Sequence, residues 1–393
     1  MQNAKCKIFG QTMALSLSVL VSACGGQSLF TAISTELSNP LTVTVNAAAQ
    51  RAYVVNANDT GLYTSGSLHI LDLSTITTPT RVASQPIDSL GGQIVLDTTN
   101  NRVVIPNRLS EGDTDTADHV VEVNISEGGA TFLSVASADA NGNPFGAIRE
   151  PTTNRLLVPS REGTLEVFDL GAVPLSRVAQ VDLLRTLSDG SDLAIADAVE
   201  ILLTTANTQA VVTRASGGLF VLNVSELTTS GVNPVDYFIS DLESPRGLAT
   251  DGTFVYVVDT LDNDGTTENY LRILNLSGLA VDASNTTTTV QTISANSLQA
   301  AALTVGTDPQ QVVVSVGLAR AYVTNMGANT VSVFDTAART KVADISVGES
   351  PFGMALYQQV AGGADTHLLV CNRQANTVSI IDLATNAVIA TYQ

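Results

Sequence analysis

The chain has 393 residues, 44% of them hydrophobic and 14% charged, which is enough apolar mass for a large core and excludes a disordered polymer. Its 37 acidic residues outnumber 18 basic ones, for a formal charge of −19. That balance excludes a nucleic-acid binder, because neutralising phosphates requires clustered Lys and Arg.

At the amino terminus Lys5 and Lys7 precede the apolar stretch Met13 to Val21, the pattern of a secretory signal. The apolar run is too short to cross a bilayer as a helix, so no transmembrane span is expected. Val21-Ser22-Ala23-Cys24-Gly25 resembles the bacterial lipobox, which implies removal of residues 1–23 and lipidation of Cys24. Gly25, where an Asp would retain a lipoprotein at the inner membrane, implies export to the outer membrane of a diderm bacterium. Residues 24–39 are then a tether, or an extra strand over Phe30 to Leu37 that pairs with the terminal blade. Cleavage would also remove Cys6, and Cys371 sits inside the run Leu368-Leu369-Val370, the setting of a buried inert thiol.

From Pro40 onward two landmarks alternate with a period of roughly fifty residues, the mark of repeated supersecondary units. One is an apolar triplet closed by a small polar residue, as in Tyr53-Val54-Val55-Asn56, Tyr256-Val257-Val258-Asp259 and Tyr322-Val323-Thr324-Asn325. The other is an apolar residue followed by Asp or Asn, with the polar member at Asp72, Asn124, Asp169, Asn223, Asn275, Asp335 and Asp382. Between them lie β-branched runs and Asn/Gly/Thr-rich turns. In the sixth copy four strands read over residues 311–316, 321–325, 330–335 and 341–347. The expectation is an all-β domain over 40–393, a seven-bladed β-propeller of four-stranded antiparallel blades, monomeric as a closed ring.

Arg320-Ala321-Tyr322-Val323-Thr324-Asn325, Asn329-Thr330-Val331-Ser332-Val333-Phe334-Asp335 and Pro351-Phe352-Gly353 resemble the YVTN-type propeller repeat, closely in the last two copies and partly in the first. The absence of Trp speaks against WD40 repeats and tryptophan-docked quinone dehydrogenases. The resemblance implies lactone hydrolases among the relatives, and lactone hydrolysis is the alternative activity, with His119 as its only candidate catalytic residue. No His stands beside a Ser, Cys or Glu in a nucleophile arrangement, so the expectation is no enzyme and no cofactor.

Two features point to one end of the ring. The hairpins Ala57 to Ser67, Arg108 to His119 and Thr260 to Tyr270 are longer than their counterparts, and loops at one end of a rigid scaffold commonly carry binding. Asp259, Asp262, Asp264 and Glu268 could supply oxygens to Ca²⁺, although their register departs from an EF-hand loop. Arg108, Arg161, Arg214 and Arg373 all follow the second strand of their units, and if they converge they form a positive ring for an anionic small molecule or a partner carboxylate. The functional expectation is therefore an envelope-anchored binding or scaffold module that presents its loop-extended face to a protein or polymer partner. It touches the membrane through its lipid alone, and a scaffold for a periplasmic or surface redox partner is a further alternative.

Overall fold

The β-branched and aromatic runs fold as strands that pair with their sequence neighbours in antiparallel ladders. The computed structural model describes residues 36–57, 65–87, 91–108, 118–140, 142–183, 186–188, 197–204, 206–229, 232–260, 269–281 and 289–393. Among the described residues there are six four-stranded antiparallel sheets and one six-stranded sheet. The four-stranded blades cover residues 40–87, 95–139, 148–182, 244–304, 309–346 and 351–392, and are termed blades A to F. In blade E the strands are Pro309–Ser315, Arg320–Asn325, Thr330–Asp335 and Thr340–Ser346, within two residues of the expected bounds.

Local chemistry sets the turns. Asn325 pairs with Thr330 and Asn372 with Thr377, so each hairpin closes over four residues, and the last of them, Asn329 or Asn376, takes φ of 56° or 55°. Asn tolerates this left-handed region better than other side chains with a Cβ. The Asn that ends the second strand then ties the hairpin together. The Asn325 amide nitrogen donates to Thr330 Oγ1 and Ser332 Oγ, at 3.0 and 2.9 Å, and Asn372 repeats the arrangement with Thr377 and Ser379, at 2.9 Å each.

The middle strands are buried on both faces while the fourth is largely exposed: Val331, Val333 and Phe334 are at most 1% accessible, whereas Thr340–Ser346 is mostly open. Each fully buried side chain of this kind contributes roughly 1.5–3 kcal/mol. Two-sided burial requires a neighbour on either side, and the apolar clusters supply one all the way round. Tyr53 packs with Ile105 between blades A and B, Val104 with Phe168 between B and C, and Leu157 with Val212 between C and the six-stranded sheet. That sheet meets blade D through Val221 and Val257, D meets E through Tyr256 and Val323, and E meets F through Tyr322 and Leu368. Val54 and Leu71 of blade A pack against Leu369 and Ile380 of blade F, so the ring closes between the first and last blades. Asn39 N–H also donates to Asn376 Oδ1 across this seam, at 2.8 Å.

Inner strands touch backbone to backbone near the axis. A Cβ on Gly353 would collide with the Leu41 carbonyl, one on Gly146 with the Val199 carbonyl, and one on Gly247 would lie 2.7 Å from Gln311 Cα. Only a residue without a side chain permits that approach.

One expectation needs correction. Seven four-stranded blades were expected and six are present, because the unit at residues 198–240 forms part of a mixed sheet of six strands. Its fourth strand, Val235–Ser240, is apolar and buried, unlike the open fourth strand of blade E, and such an edge has to be covered. Thr289–Ser294, from the long connection inside blade D, pairs parallel to it along Tyr237–Ser240, and Thr186–Leu187 adds parallel to that strand in turn. The proposed strand over Phe30 to Leu37 falls almost wholly outside the described residues; residues 36 and 37 are not in a strand, and Leu37 packs into the seam cluster. The signal segment and Cys24 also lie outside the described residues. Among the described residues no helix is long and apolar enough to cross a membrane.

Candidate functional site

Pro40, Pro309 and Pro351 open the inner strands of blades A, E and F, and Pro245 is the second residue of that of blade D; the residue after each of these prolines faces a cavity of about 240 Å³. These residues are Leu41, Arg246, Gln310 and Phe352, and Phe145 after Pro144 joins them. The second-strand ends supply Arg108, Arg161 and Arg373 to the same wall. Three of the four arginines singled out in the sequence thus converge from residues far apart along the chain, and Arg246 is a fourth lining arginine. The stems of the three lengthened hairpins are at this end too. Ala57 and Arg108 line the cavity, and Thr260 Oγ1 accepts from Arg246 Nε at 3.4 Å. Residues 58–64, 109–117 and 261–268 of those insertions, which include Asp262, Asp264 and Glu268, lie outside the described residues.

The centre of the cavity is aromatic. Phe145 and Phe352 meet edge to face, 6.1 Å apart at 79°, and each carries a guanidinium over its ring: Arg108 at 5.3 Å and Arg373 at 5.5 Å from the centroids. Stacking holds these arginines in place without neutralising them. Arg161 is paired, its Nε 2.9 Å from Asp197 Oδ1. Arg108 Nε is buried with no hydrogen-bond partner. Burial, reinforced by the nearby charges of Arg161 and Arg373 and opposed by Asp118, brings the Arg108 pKa down to about 10. A guanidinium destabilised by loss of water and by like charge is poised to gain from an anion.

Glu200, on the inner strand Ala198–Leu203, is the one carboxylate in the cavity lining among the described residues. It is 7% exposed, and burial pushes its pKa up to about 8 against the opposing hydrogen bond from Gln93, so at neutral pH it is mostly uncharged. Gln93 is oriented by the backbone: its Oε1 accepts from Ala147 N–H at 3.1 Å, which leaves Nε2 to donate to Glu200 Oε1. Thr42, Gln93, Glu200 and Gln311 also line a second cavity of about 380 Å³ along the axis, whose walls carry Val43, Ile94, Ile148 and Leu202. These four side chains form a polar collar between an arginine-lined mouth and an aliphatic channel.

The remaining candidates lie elsewhere. Arg214 donates to the carbonyls of Ser216 and Gly217, at 3.2 and 2.9 Å, so it caps its own hairpin and is absent from the cavity lining. Asp259 is 2% exposed. It accepts from Glu243 and Ser244 N–H at 3.0 and 3.1 Å and from Arg272 Nε at 2.7 Å, which commits both of its oxygens. Burial raises its pKa, opposed by Arg272. Among the described residues no cluster of three or more His, Cys, Asp or Glu could hold a metal. His119 starts the third strand of blade B, with Nε2 3.6 Å from Asp139 Oδ1, and does not line the cavity.

The sequence reading missed Arg246, Phe145, Phe352 and Glu200 as lining residues. The signal for the first three was the register Pro144-Phe145-Gly146, Pro245-Arg246-Gly247 and Pro351-Phe352-Gly353, in which the glycine brings the next inner strand close and turns the middle residue to the axis. Glu200 was marked by being a lone acid within Ala198-Val199-Glu200-Ile201-Leu202.

No protein-family model matches the chain, so the YVTN likeness rests on the residues quoted for it, and no curated protein matches either. Solved structures do. A chain of hydrazine synthase from Kuenenia stuttgartiensis superposes with a TM-score of 0.66 at 13% identity, covering 90% of this chain and 97% of that one. The β-propeller domain of Cps50 (Swd1) from Myceliophteria thermophila gives 0.62 at 9% identity, covering 88% and 97%. At such identities the likeness shows the propeller fold alone.

Proposed function

We propose that this protein is a β-propeller binding module that takes a small carboxylate-bearing anion in the arginine-lined mouth of its ring. The observation that carries the reading is the convergence of Arg108, Arg161, Arg246 and Arg373 on one cavity, with the Arg108 guanidinium buried and its Nε unpartnered. Concentrated positive charge in a protein of net charge −19 is costly unless it is used, and planar guanidinium groups match carboxylates in geometry. Phe145, Phe352 and Leu41 supply an apolar surface for the body of the ligand. A cavity of about 240 Å³ exceeds the ~150 Å³ that admits benzene, so a ligand of benzoate size fits. No histidine lines this cavity among the described residues, so the geometry favours capture over hydrolysis.

Calorimetric titration of the purified protein with benzoate, and with neutral benzamide as control, tests the reading. Benzoate should bind and benzamide should not, and Arg108→Gln or Arg373→Gln should weaken benzoate at least tenfold with little change in the melting temperature. Equal binding of the two probes would refute it. Export and lipidation at Cys24 are part of the same proposal and place the module in the cell envelope. Labelling of the cellular protein by a radioactive fatty acid, lost in Cys24→Ser, is the expected result; labelling that survives the substitution would overturn the anchor.

A further inference from the structure

We infer that Glu200 determines specificity in this cavity, acting as a neutral carboxylic acid that donates a hydrogen bond to the bound carboxylate and so couples ligand binding to a proton. The inference rests on the carboxylate-binding reading above and adds the acid form of one wall residue to it.

The hydrogen-bond pattern fixes which oxygen of Glu200 is free to hold a proton. Ala147 N–H holds Gln93 Oε1, so the Gln93 amide can present only its NH₂ to Glu200, and Glu200 Oε1 is the acceptor. In the acid form Oε1 is therefore the carbonyl oxygen, and Oε2 is the one that carries the hydrogen. Among the described residues Oε2 has no partner within the protein, while the Glu200 side chain reaches the lining of both the mouth and the axial channel. A donor left over at the boundary of a cationic mouth is placed to bond an anion's oxygen.

The surroundings explain why the group stays neutral. Glu200 N–H donates to Thr213 Oγ1 at 2.9 Å, and the inner strands of blades A and E bring Thr42 and Gln311 to the collar, joined by Gln93 just before the inner strand of blade B, all uncharged. Among the described residues the cationic groups lining the mouth are Arg108, Arg161, Arg246 and Arg373, from blades B, C, D and F, with the Asp118 carboxylate acting on Arg108. Of these Arg161 is paired with Asp197 just before the Glu200 strand, and none makes an ion pair with Glu200 among the described residues. Burial consequently dominates and lifts the carboxyl to about 8. Once ionised, Glu200 loses its donor and repels the ligand, so the same residue that recognises a carboxylate at neutral pH expels it in base.

The test is benzoate affinity by calorimetry from pH 6.5 to 9, below the region where Arg108 begins to titrate, on the wild type and Glu200→Gln. The wild type should bind with constant affinity below pH 7.5 and weaken as pH rises, approaching tenfold per pH unit above 8, the slope of one coupled proton. Titrations near pH 8 in buffers of differing ionisation enthalpy should show proton uptake on binding. Glu200→Gln, whose amide keeps a donor and cannot ionise, should bind benzoate with a flat pH profile and no proton uptake. A flat wild-type profile matching the variant would overturn the role of Glu200 and leave the carboxylate reading intact. Loss of binding in a folded Glu200→Gln protein would overturn the donor role as well. Failure of benzoate to bind either protein at any pH would refute the underlying reading itself.

Discussion

His69 offers a stringent test of how blade A is packed. It lies in the third strand, Gly66–Asp72, is 0% exposed, and neither ring nitrogen has a hydrogen-bond partner. Its cross-strand neighbours are Val54 and Ser84, and Val54 belongs to the apolar seam with blade F. Burial, aided by the positive charge of Arg81, lowers the pKa to about 4 from the ordinary 6.5. Because the folded value lies below the unfolded one, the unfolded chain binds more protons. The stability involved is present above 6.5 and is lost as pH falls toward 4. For a single group with these two values the loss between pH 7 and pH 5 is about 2 kcal/mol, and the full shift corresponds to about 3 kcal/mol. His69→Leu preserves approximate volume, removes two unsatisfied nitrogens and abolishes the proton linkage. Urea unfolding of both proteins at pH 7 and pH 5 should show the wild type losing about 2 kcal/mol more than the variant over that interval. Parallel losses in the two proteins would show that His69 is hydrated or hydrogen-bonded in the folded state, and would refute the packing described for this seam.

Two other predictions probe the ring. Gly353→Ala drives a Cβ into the Leu41 carbonyl across the junction of blades F and A, and since backbone cannot yield as a flexible side chain does, it should cost roughly 1–3 kcal/mol; an unchanged melting temperature would show that the inner strands do not touch there. Arg102, 3% exposed, bonds Asp97 at 3.0 Å and also Glu122, and donates to the Leu170 carbonyl of blade C at 2.5 Å. Arg102→Leu would strand two buried carboxylates and should destabilise by about 3–5 kcal/mol. Replacing Asp97 and Glu122 by Asn and Gln in the same protein should recover part of this, and denaturant melts of the three proteins check the order.

The strands were legible in the sequence because their information is local. Period-two alternation in Val331-Ser332-Val333, the Asn that ends the second strand in blades A, B, E and F and the turn residues Asn329 and Asn376 act within a hairpin, over distances a short peptide already spans. The recurrence of these units implied stacking, since a sheet that is apolar on both faces needs two neighbours. The mixed sheet escaped notice for the opposite reason: Thr289–Ser294 is far in sequence from Val235–Ser240, and only the buried, apolar character of that edge creates a demand for cover. The unusually long spacing between Asn275 and Asp335 marked where the extra strand came from, without saying where it went.

The site divides in the same way. The shared register of Arg108, Arg161 and Arg373 after their second strands was visible in the sequence and was enough to suggest a ring of charge. Arg214 keeps that register yet turns to its own hairpin carbonyls, because a side chain's direction depends on the acceptors within reach. Arg246, Phe145 and Phe352 acquire their positions from a backbone contact with the next blade, and Glu200 acquires its neutrality from burial behind Gln93. Repetition along the chain determined which units would fold and how each would be built; closure around an axis decided which side chains meet, because proximity between distant residues, and the loss of water that shifts their charges, exist only once the ring is complete.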